Sequence, residues 1–220
     1  MSTELRVYLT IERLQRQFAS YLSSPTSGRG YVPVEGMSSL IVEIAPGLSI
    51  ERITDIALKA VPSLEPGLLV VERQYGVLEV HSRDVGELHR AGAAMLSWLK
   101  LSPADQLRPE ILFLDVVENI TDQHAVVINR SKQASMVLPG ETLLLLEIVP
   151  ALFATYAANE AERAVPEIKL VDVRMIGATG RLYLSGSAEA ISRAAGHIRQ
   201  SLDSLPGRNG RTEAVNRTRT

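Results

Sequence analysis

The chain has no cysteine, which excludes thiol nucleophiles, zinc–thiolate sites and disulfides. Aromatic residues are sparse: one Trp, six Tyr and three Phe in 220 residues, with none of the basic–aromatic interleaving of an RNA-stacking platform. Charge of one sign is lacking too. A net charge of −2 exerts no general pull on nucleic acid or an anionic membrane. There is no long hydrophobic run either. The greasiest stretch, LLLLEIVPALFATYAA (Leu143–Ala158), is interrupted by Glu147 and Pro150 and is too short to span a bilayer. The first residues carry charges where a secretory leader needs an apolar run, so a cytoplasmic location is expected.

Catalytic signatures are missing as well. His81, His89, His124 and His197 are scattered without metal-ligand spacing. No serine sits in Gly-x-Ser-x-Gly, and no glycine loop ends in Gly-Lys-Ser/Thr. IGATGRL (Ile176–Leu182) has the glycines of a phosphate loop but no lysine, and it lies between strands, so it reads as a glycine turn. No metal, no cofactor and no enzyme activity are expected.

What the chain does have is itself, twice. Glu-Ile-x-Pro at Glu43–Pro46 recurs at Glu147–Pro150, and the same spacing carries Ala60-Val61-Pro62 onto Ala164-Val165-Pro166 and Gly36 onto Gly140. GVLEV (Gly76–Val80) faces GRLYL (Gly180–Leu184), and the helical stretch His89–Leu99 faces Ser192–Leu202. At the front ends, Ile11 matches Val117 and Gln17 matches Gln123.

Each copy reads as β-α-β-α-β-β-α. An alternating strand (RVYLTI or ILFLDVV) precedes a short helix, and a central strand (SLIVEI or TLLLLEI) is apolar on both faces, hence covered by helices. The next helix is expected to be capped by Ser49 and stopped by Pro62, with Pro166 in the same role in the second copy. Asp84 and Glu87 have the spacing of a capping box for the last helix, Val85–Trp98. The expected division is a first domain at 1–105, a second at 106–206 and a disordered tail at 207–220, with Ser102–Glu110 as linker.

Two features stand out against the repeat. In VVERQYGVLEV (Val70–Val80) an apolar strand breaks to present Glu72 and Arg73 side by side. An exposed ion pair on a hairpin, worth about 0–1 kcal/mol, explains them adequately. Yet the aligned place in the second copy holds Ile176-Gly177, and a shared scaffold that differs in chemistry at one loop is where a grafted site would show. The other feature is a polar-then-basic pair one helical turn apart, Asp55 and Lys59, repeated as Asn159 and Arg163. It reads either as a minor helix-surface contact or as a repeated intermolecular edge.

With ERQYG (Glu72–Gly76), LQRQFASY (Leu14–Tyr21), ALKA (Ala57–Ala60) and AANEAE (Ala157–Glu162), the chain resembles the tandem-domain bacterial microcompartment shell proteins, of the circularly permuted, carboxysome (CcmP-like) kind, from about Glu4 to Leu205. The resemblance implies an α+β, ferredoxin-like domain, permuted and duplicated. It implies a homotrimer that forms a flat pseudohexamer in the shell and meets other shell proteins edge to edge; two such trimers can stack face to face. Asp55, Lys59, Asn159 and Arg163 become lattice-edge residues. Glu72 and Arg73 become gate residues of a threefold pore, with Tyr75 behind them and Gly76 and Gly177 re-aiming the backbone. Ile176, Gly177, Ala178 and Thr179 form the remaining walls. The implied cargo is anionic metabolites such as ribulose bisphosphate and phosphoglycerate, for which Arg offers a bidentate fork. Two rivals stand beside this reading: a soluble α/β protein sensing a small molecule between its duplicated domains, and an enzyme using Glu72 as general base beside Arg73.

Overall fold

The computed structural model describes residues 3–24, 30–132 and 134–210. The first copy runs β1 (Glu4–Ile11), α1 (Arg16–Leu22), β2 (Ser38–Ala45), α2 (Ser49–Ala60), β3 (Glu65–Glu72), β4 (Tyr75–Ser82) and α3 (Val85–Leu99). The second runs β5 (Glu110–Val117), α4 (Asp122–Ser131), β6 (Thr142–Val149), α5 (Phe153–Ala164), β7 (Lys169–Arg174), β8 (Gly180–Gly186) and α6 (Ala188–Asp203). Each copy folds an antiparallel four-stranded sheet, ordered β1-β2-β4-β3 in one and β5-β6-β8-β7 in the other. The irregularities repeat as well. Bulges fall between Leu5 and Val7 and, equivalently, between Ile111 and Phe113. A second pair falls between Pro66 and Leu68 and between Leu170 and Asp172. The α+β fold is thus duplicated down to its defects.

The apolar central strand is covered as expected. In the first copy, Leu40, Val42 and Ile44 of β2 pack with Ile50, Ile53 and Ala57 of α2 and with Leu88, Ala91 and Met95 of α3. The opposite face of that sheet does not close on itself. Val7, Leu9, Ile41 and Val77 join α1 residues Phe18 and Tyr21 in one continuous core with the second copy's Phe153, Ala157, Ala158 and Val173. The two copies therefore share their largest core.

Three local expectations are corrected. Ser49 does not cap α2: it is the first helical residue, and Leu48 is the N-cap without a side-chain bond. The orphan N–H groups of Ser49, Ile50 and Glu51 donate instead to the carbonyls of Pro46, Gly47 and Leu48, so no side-chain cap is needed. Asp84 does cap α3, accepting from Gly86 N–H, but Glu87 does not complete the box. The Asp84 N–H is taken by Ser82 Oγ, and the Glu87 carboxylate accepts from the hydroxyls of Ser63 and Ser82, which hold it below the usual carboxylate range. Third, the start of the tail expected at 207–220 is tied down. The Arg208 backbone exchanges hydrogen bonds with Arg108 and Gln106, and its guanidinium pairs with Glu4. Residues 211–220 lie outside the described residues.

Candidate functional site

The break in Val70–Val80 is a two-residue hairpin loop: Glu72 pairs with Tyr75, leaving Arg73 and Gln74 at the tip. Arg73 sits at φ 53°, in the left-handed region. A side-chain-bearing residue pays about 1 kcal/mol there, at the loop position where glycine is favoured. Its side chain is 86% exposed and meets Glu72 Oε1 only at 3.7 Å. At the same place in the second copy, β7 and β8 are joined by Met175–Thr179, with Gly177 at φ 127° and open space around it. The charged tip is the strained one, and the neutral tip has a residue suited to its backbone.

Behind the charged tip, β1 reaches across. Arg6 is the extra residue of the β1 bulge, and the bulge re-aims its side chain. Its guanidinium lies 3.9 Å over the Tyr75 ring while Nε donates to Glu43 Oε1 at 2.7 Å. Burial pushes the Glu43 carboxyl up, and the Arg6 hydrogen bond partly offsets this. Gln74 Nε2 donates to the Tyr75 hydroxyl at 3.0 Å. Tyr75 is thereby held from both sides of the turn.

The second copy keeps the acid and changes everything around it. Glu147 stands where Glu43 does, but its bulge residue is Leu112, which is exposed. The cation comes from β8 instead: Arg181, directly across the sheet, donates from Nε to Glu147 Oε1 at 3.1 Å. Thr179 Oγ1 donates to the same oxygen at 2.7 Å, and these bonds hold Glu147 below the usual carboxylate range.

Gly76 does not serve to re-aim the backbone. A Cβ there would stand 2.2 Å from the Gly47 carbonyl oxygen and 2.6 Å from Ile50 Cβ, so the residue is glycine to let β4 lie against the Pro46–Gly47 turn. Gly180 packs against Ala151 in the same way. Gly177, the other glycine of the expected pair, sits at positive φ with open space where a Cβ would go.

The four helix residues expected at a lattice edge are separated by the structure. Asn159 is not at an edge: it is 1% exposed, buried between the copies. Its Oδ1 accepts from Gln15 N–H at 2.8 Å and its Nδ2 donates to the Arg13 carbonyl. The neighbouring Glu162 accepts the N–H groups of Gln17 and Phe18, giving α1 the cap that Gln15 does not supply. Gln17 completes this joint by donating to the Ile168 carbonyl and accepting from Leu170 N–H, both at 2.8 Å. Arg163 remains half exposed and pairs with Glu160. Lys59 pairs with Asp55 Oδ2 at 2.8 Å on an open helix face.

Sequence reasoning missed Arg6, Glu43, Glu147 and Glu162 as site residues. One signal was available for the central pair: an acid recurring in both copies inside an otherwise apolar strand.

Among the described residues, no group of acidic, histidine or cysteine side chains is placed to hold a metal ion, and no helix is long and apolar enough to cross a membrane.

The family model of the CsoS1D N-terminal domain matches residues 5–105. The carboxysome shell protein CcmP of Synechococcus elongatus is 42% identical over 94% of this chain and 96% of its own length. The carboxysome shell protein CsoS1D of Hydrogenovibrio crunogenus is 39% identical over 94% and 99%. Among solved structures, a double-ringed trimeric shell protein from the RMM microcompartment superposes with a TM-score of 0.91 at 54% identity, covering 94% of this chain and all of that one. A fused permuted hexameric shell protein from the same compartment superposes at 0.88 with 48% identity, covering 94% of this chain and all of that one. With the duplicated permuted fold and these relatives together, the chain belongs to the CsoS1D and CcmP family of carboxysome shell proteins, and its role is structural, not enzymatic.

Proposed function

We propose that this protein is a trimeric shell tile whose Glu72–Arg73 turns ring a threefold pore and gate it for anionic metabolites. The observation that carries the gate is the contrast between the two equivalent turns. Arg73 is solvated, backbone-strained and only loosely tied to Glu72, so the fold gains nothing evident from it. Strain retained without a structural return is typical of residues kept for function. An exposed pair worth about 0–1 kcal/mol permits two orientations of near-equal energy, as a gate requires.

Trimeric assembly is supported by the RMM relative described as a double-ringed trimer. That relative also bears on the cargo. The two RMM shell proteins exceed the carboxysome proteins in identity, 54% and 48% against 42% and 39%. The proposal for the pore is therefore stated by chemistry: small anions carrying phosphate or carboxylate groups, with ribulose bisphosphate and phosphoglycerate as the carboxysome instances. Edge-to-edge contacts with other shell proteins through Lys59 and Arg163, and stacking of two trimers, belong to the same reading.

Absolute mass by light scattering at two protein concentrations tests it first. Three or six chains per particle are expected; one or two at both concentrations would leave no threefold axis. Calorimetric titration with phosphoglycerate then tests the gate. Arg73→Ala should keep the particle mass and abolish the binding heat, and unchanged binding would remove Arg73 from the pore. The sensing-protein rival has a specific place, a cleft of about 360 Å³ between the copies lined by Arg16, Gln17, Ser20 and Ser135. Binding that survives Arg73→Ala and is lost in Arg16→Ala would favour it.

A further inference from the structure

The far end of β4 carries a buried polar cluster that the gate does not use. Glu79 and His81 alternate with Leu78 and Val80, which pack toward the helices, so the pair lies on the opposite face of the sheet. Strand rise alone places His81 about 20 Å from the start of β4 at Tyr75. His81 Nδ1 lies 3.3 and 3.2 Å from the two oxygens of the buried Glu79, and Ser39 Oγ donates to Glu79 Oε1 at 2.6 Å. A carboxylate only accepts, so Nδ1 carries the proton of this bond and Nε2 of the ring is left as an acceptor. What Nε2 faces is a second acceptor. Glu65 Oε2, on the paired strand, stands 3.4 Å away, and Nε2 has no hydrogen-bond partner. Neither carboxylate meets a lysine or arginine among the described residues. A buried charge and a buried acceptor left in this state cost stability. One cation bearing N–H groups would relieve both.

The second copy shows an ammonium on the same face. In register, Tyr183 replaces Glu79, and Asp172 replaces the facing Leu68. There Lys132 lays its ammonium 3.6 Å over the Tyr183 ring and 3.4 Å from Asp172 Oδ2, with its side chain 12% exposed. Lys169 and Ser185 stand where Glu65 and His81 do. One copy thus supplies its own ammonium, and the other presents two acids and a bare imidazole nitrogen. The bulge residues differ to match. Val171 is fully buried in the second copy, whereas Gly67 in the first gives the Glu79 carboxylate its room: a Cβ there would stand 2.3 Å from Oε2. The place is also reachable. Glu65 is half exposed and lines a cleft of about 340 Å³ with Val32, Val34, Met37, His81 and Arg83.

We propose that His81 Nε2 and Glu65 bind the primary ammonium of a small molecule, with Glu79 holding the ring in the tautomer that accepts it. An ammonium has three N–H donors, enough for both acceptors at once. The two carboxylates flank opposite ring nitrogens, and among the described residues no such group converges on a metal ion. Arg83, on the cleft wall, selects against a second positive charge, so the ligand is a monoamine. The site shares no residue with the gate, and either can stand without the other.

Equilibrium dialysis of the intact protein with radiolabelled methylammonium tests the site. One ion per chain is expected, displaced by unlabelled methylammonium and not by tetramethylammonium, which has the charge without the N–H. Glu65→Gln, at a half-exposed position, should weaken binding by about tenfold or more. Glu51→Gln, an exposed position on α2 across the sheet, should leave it unchanged. No bound methylammonium, equal displacement by tetramethylammonium, or unchanged binding in Glu65→Gln overturns the proposal. Solid-state 15N spectra of the histidine-labelled protein give a second reading. Methylammonium should shift one Nδ1–H histidine signal in wild type, and not at the same concentration in Glu65→Gln. A ring protonated at both nitrogens without the amine would mean that a proton joins it to Glu65, and the ligand site falls.

Discussion

The same bulge carries Arg6 in the first copy and Leu112 in the second, and the comparison shows how a duplicated domain comes to do two things. Both copies keep a glutamate on the central strand beside the loop. In the first, the cation reaches it from β1, is largely buried, and stacks on Tyr75 under a strained charged turn. In the second, the cation stands across the strand at 55% exposure, and the loop above is small and neutral. The scaffold acid was retained, and its partner moved from one strand to another. One copy thereby gains a braced cationic tip and the other a permissive glycine tip.

The sharpest way to break this comparison is to remove the two cations separately. Arg6→Ala leaves Glu43 buried without its partner and should cost about 3 kcal/mol, whereas Arg181→Ala removes an exposed partner and should cost no more than about 0.5 kcal/mol. Urea unfolding of both variants checks it; equal losses would mean the two pairs are interchangeable. Next in size is the internal joint. Glu162→Ala strips the buried acceptor from Gln17 and Phe18 and should cost about 2 kcal/mol. Leu58→Ala at the equivalent half-exposed position should cost about 1 kcal/mol in the dissociated chain.

The tips can then be exchanged. Arg73→Gly relieves a positive φ and should stabilise by about 1 kcal/mol, while Gly177→Arg imposes strain that the glycine avoids and should cost about 1 kcal/mol or more. A higher melting temperature for Arg73→Gly, accompanied by loss of anion binding, would show strain and function traded at one residue. The smallest effect is in pH. Glu147, lowered from its ordinary value of 4.5, contributes stability that is present above pH 4.5 and is lost as pH falls through its depressed value. Glu43, raised from 4.5 by burial, contributes the opposite way: its stability is present below pH 4.5 and is lost as pH rises through the raised value. Melting temperatures between pH 3 and pH 7 should therefore show Glu147→Gln losing ground to wild type as pH rises and Glu43→Gln gaining it. Parallel curves would sink the assignment.

Much of this molecule could be read along the chain. The order of strands and helices follows from local alternation and from Pro62 and Pro166 as stops, and the duplication from matched positions alone. Glu72–Arg73 was visible because the second copy lacks it. Local chemistry misled where distant groups competed. Ser49 has the right side chain for a cap, but the carbonyls of Pro46–Leu48 reach the same N–H groups first. Glu87 has capping-box spacing, but two serine hydroxyls claim its carboxylate. Gly76 suits a hinge by composition, yet the space it leaves is filled by the turn at Gly47.

By itself, then, the amino-acid sequence determined the duplicated β-α-β-α-β-β-α order and the single charged turn, since these depend on patterns within a few residues. Only the tertiary structure decided that Asn159 serves a joint and not an edge, that Glu162 caps α1 across that joint, and that Arg6 braces Tyr75. Those roles depend on which elements meet. Asn159 and Gln15 lie far apart in the chain, and no local periodicity records that one will accept the other's N–H.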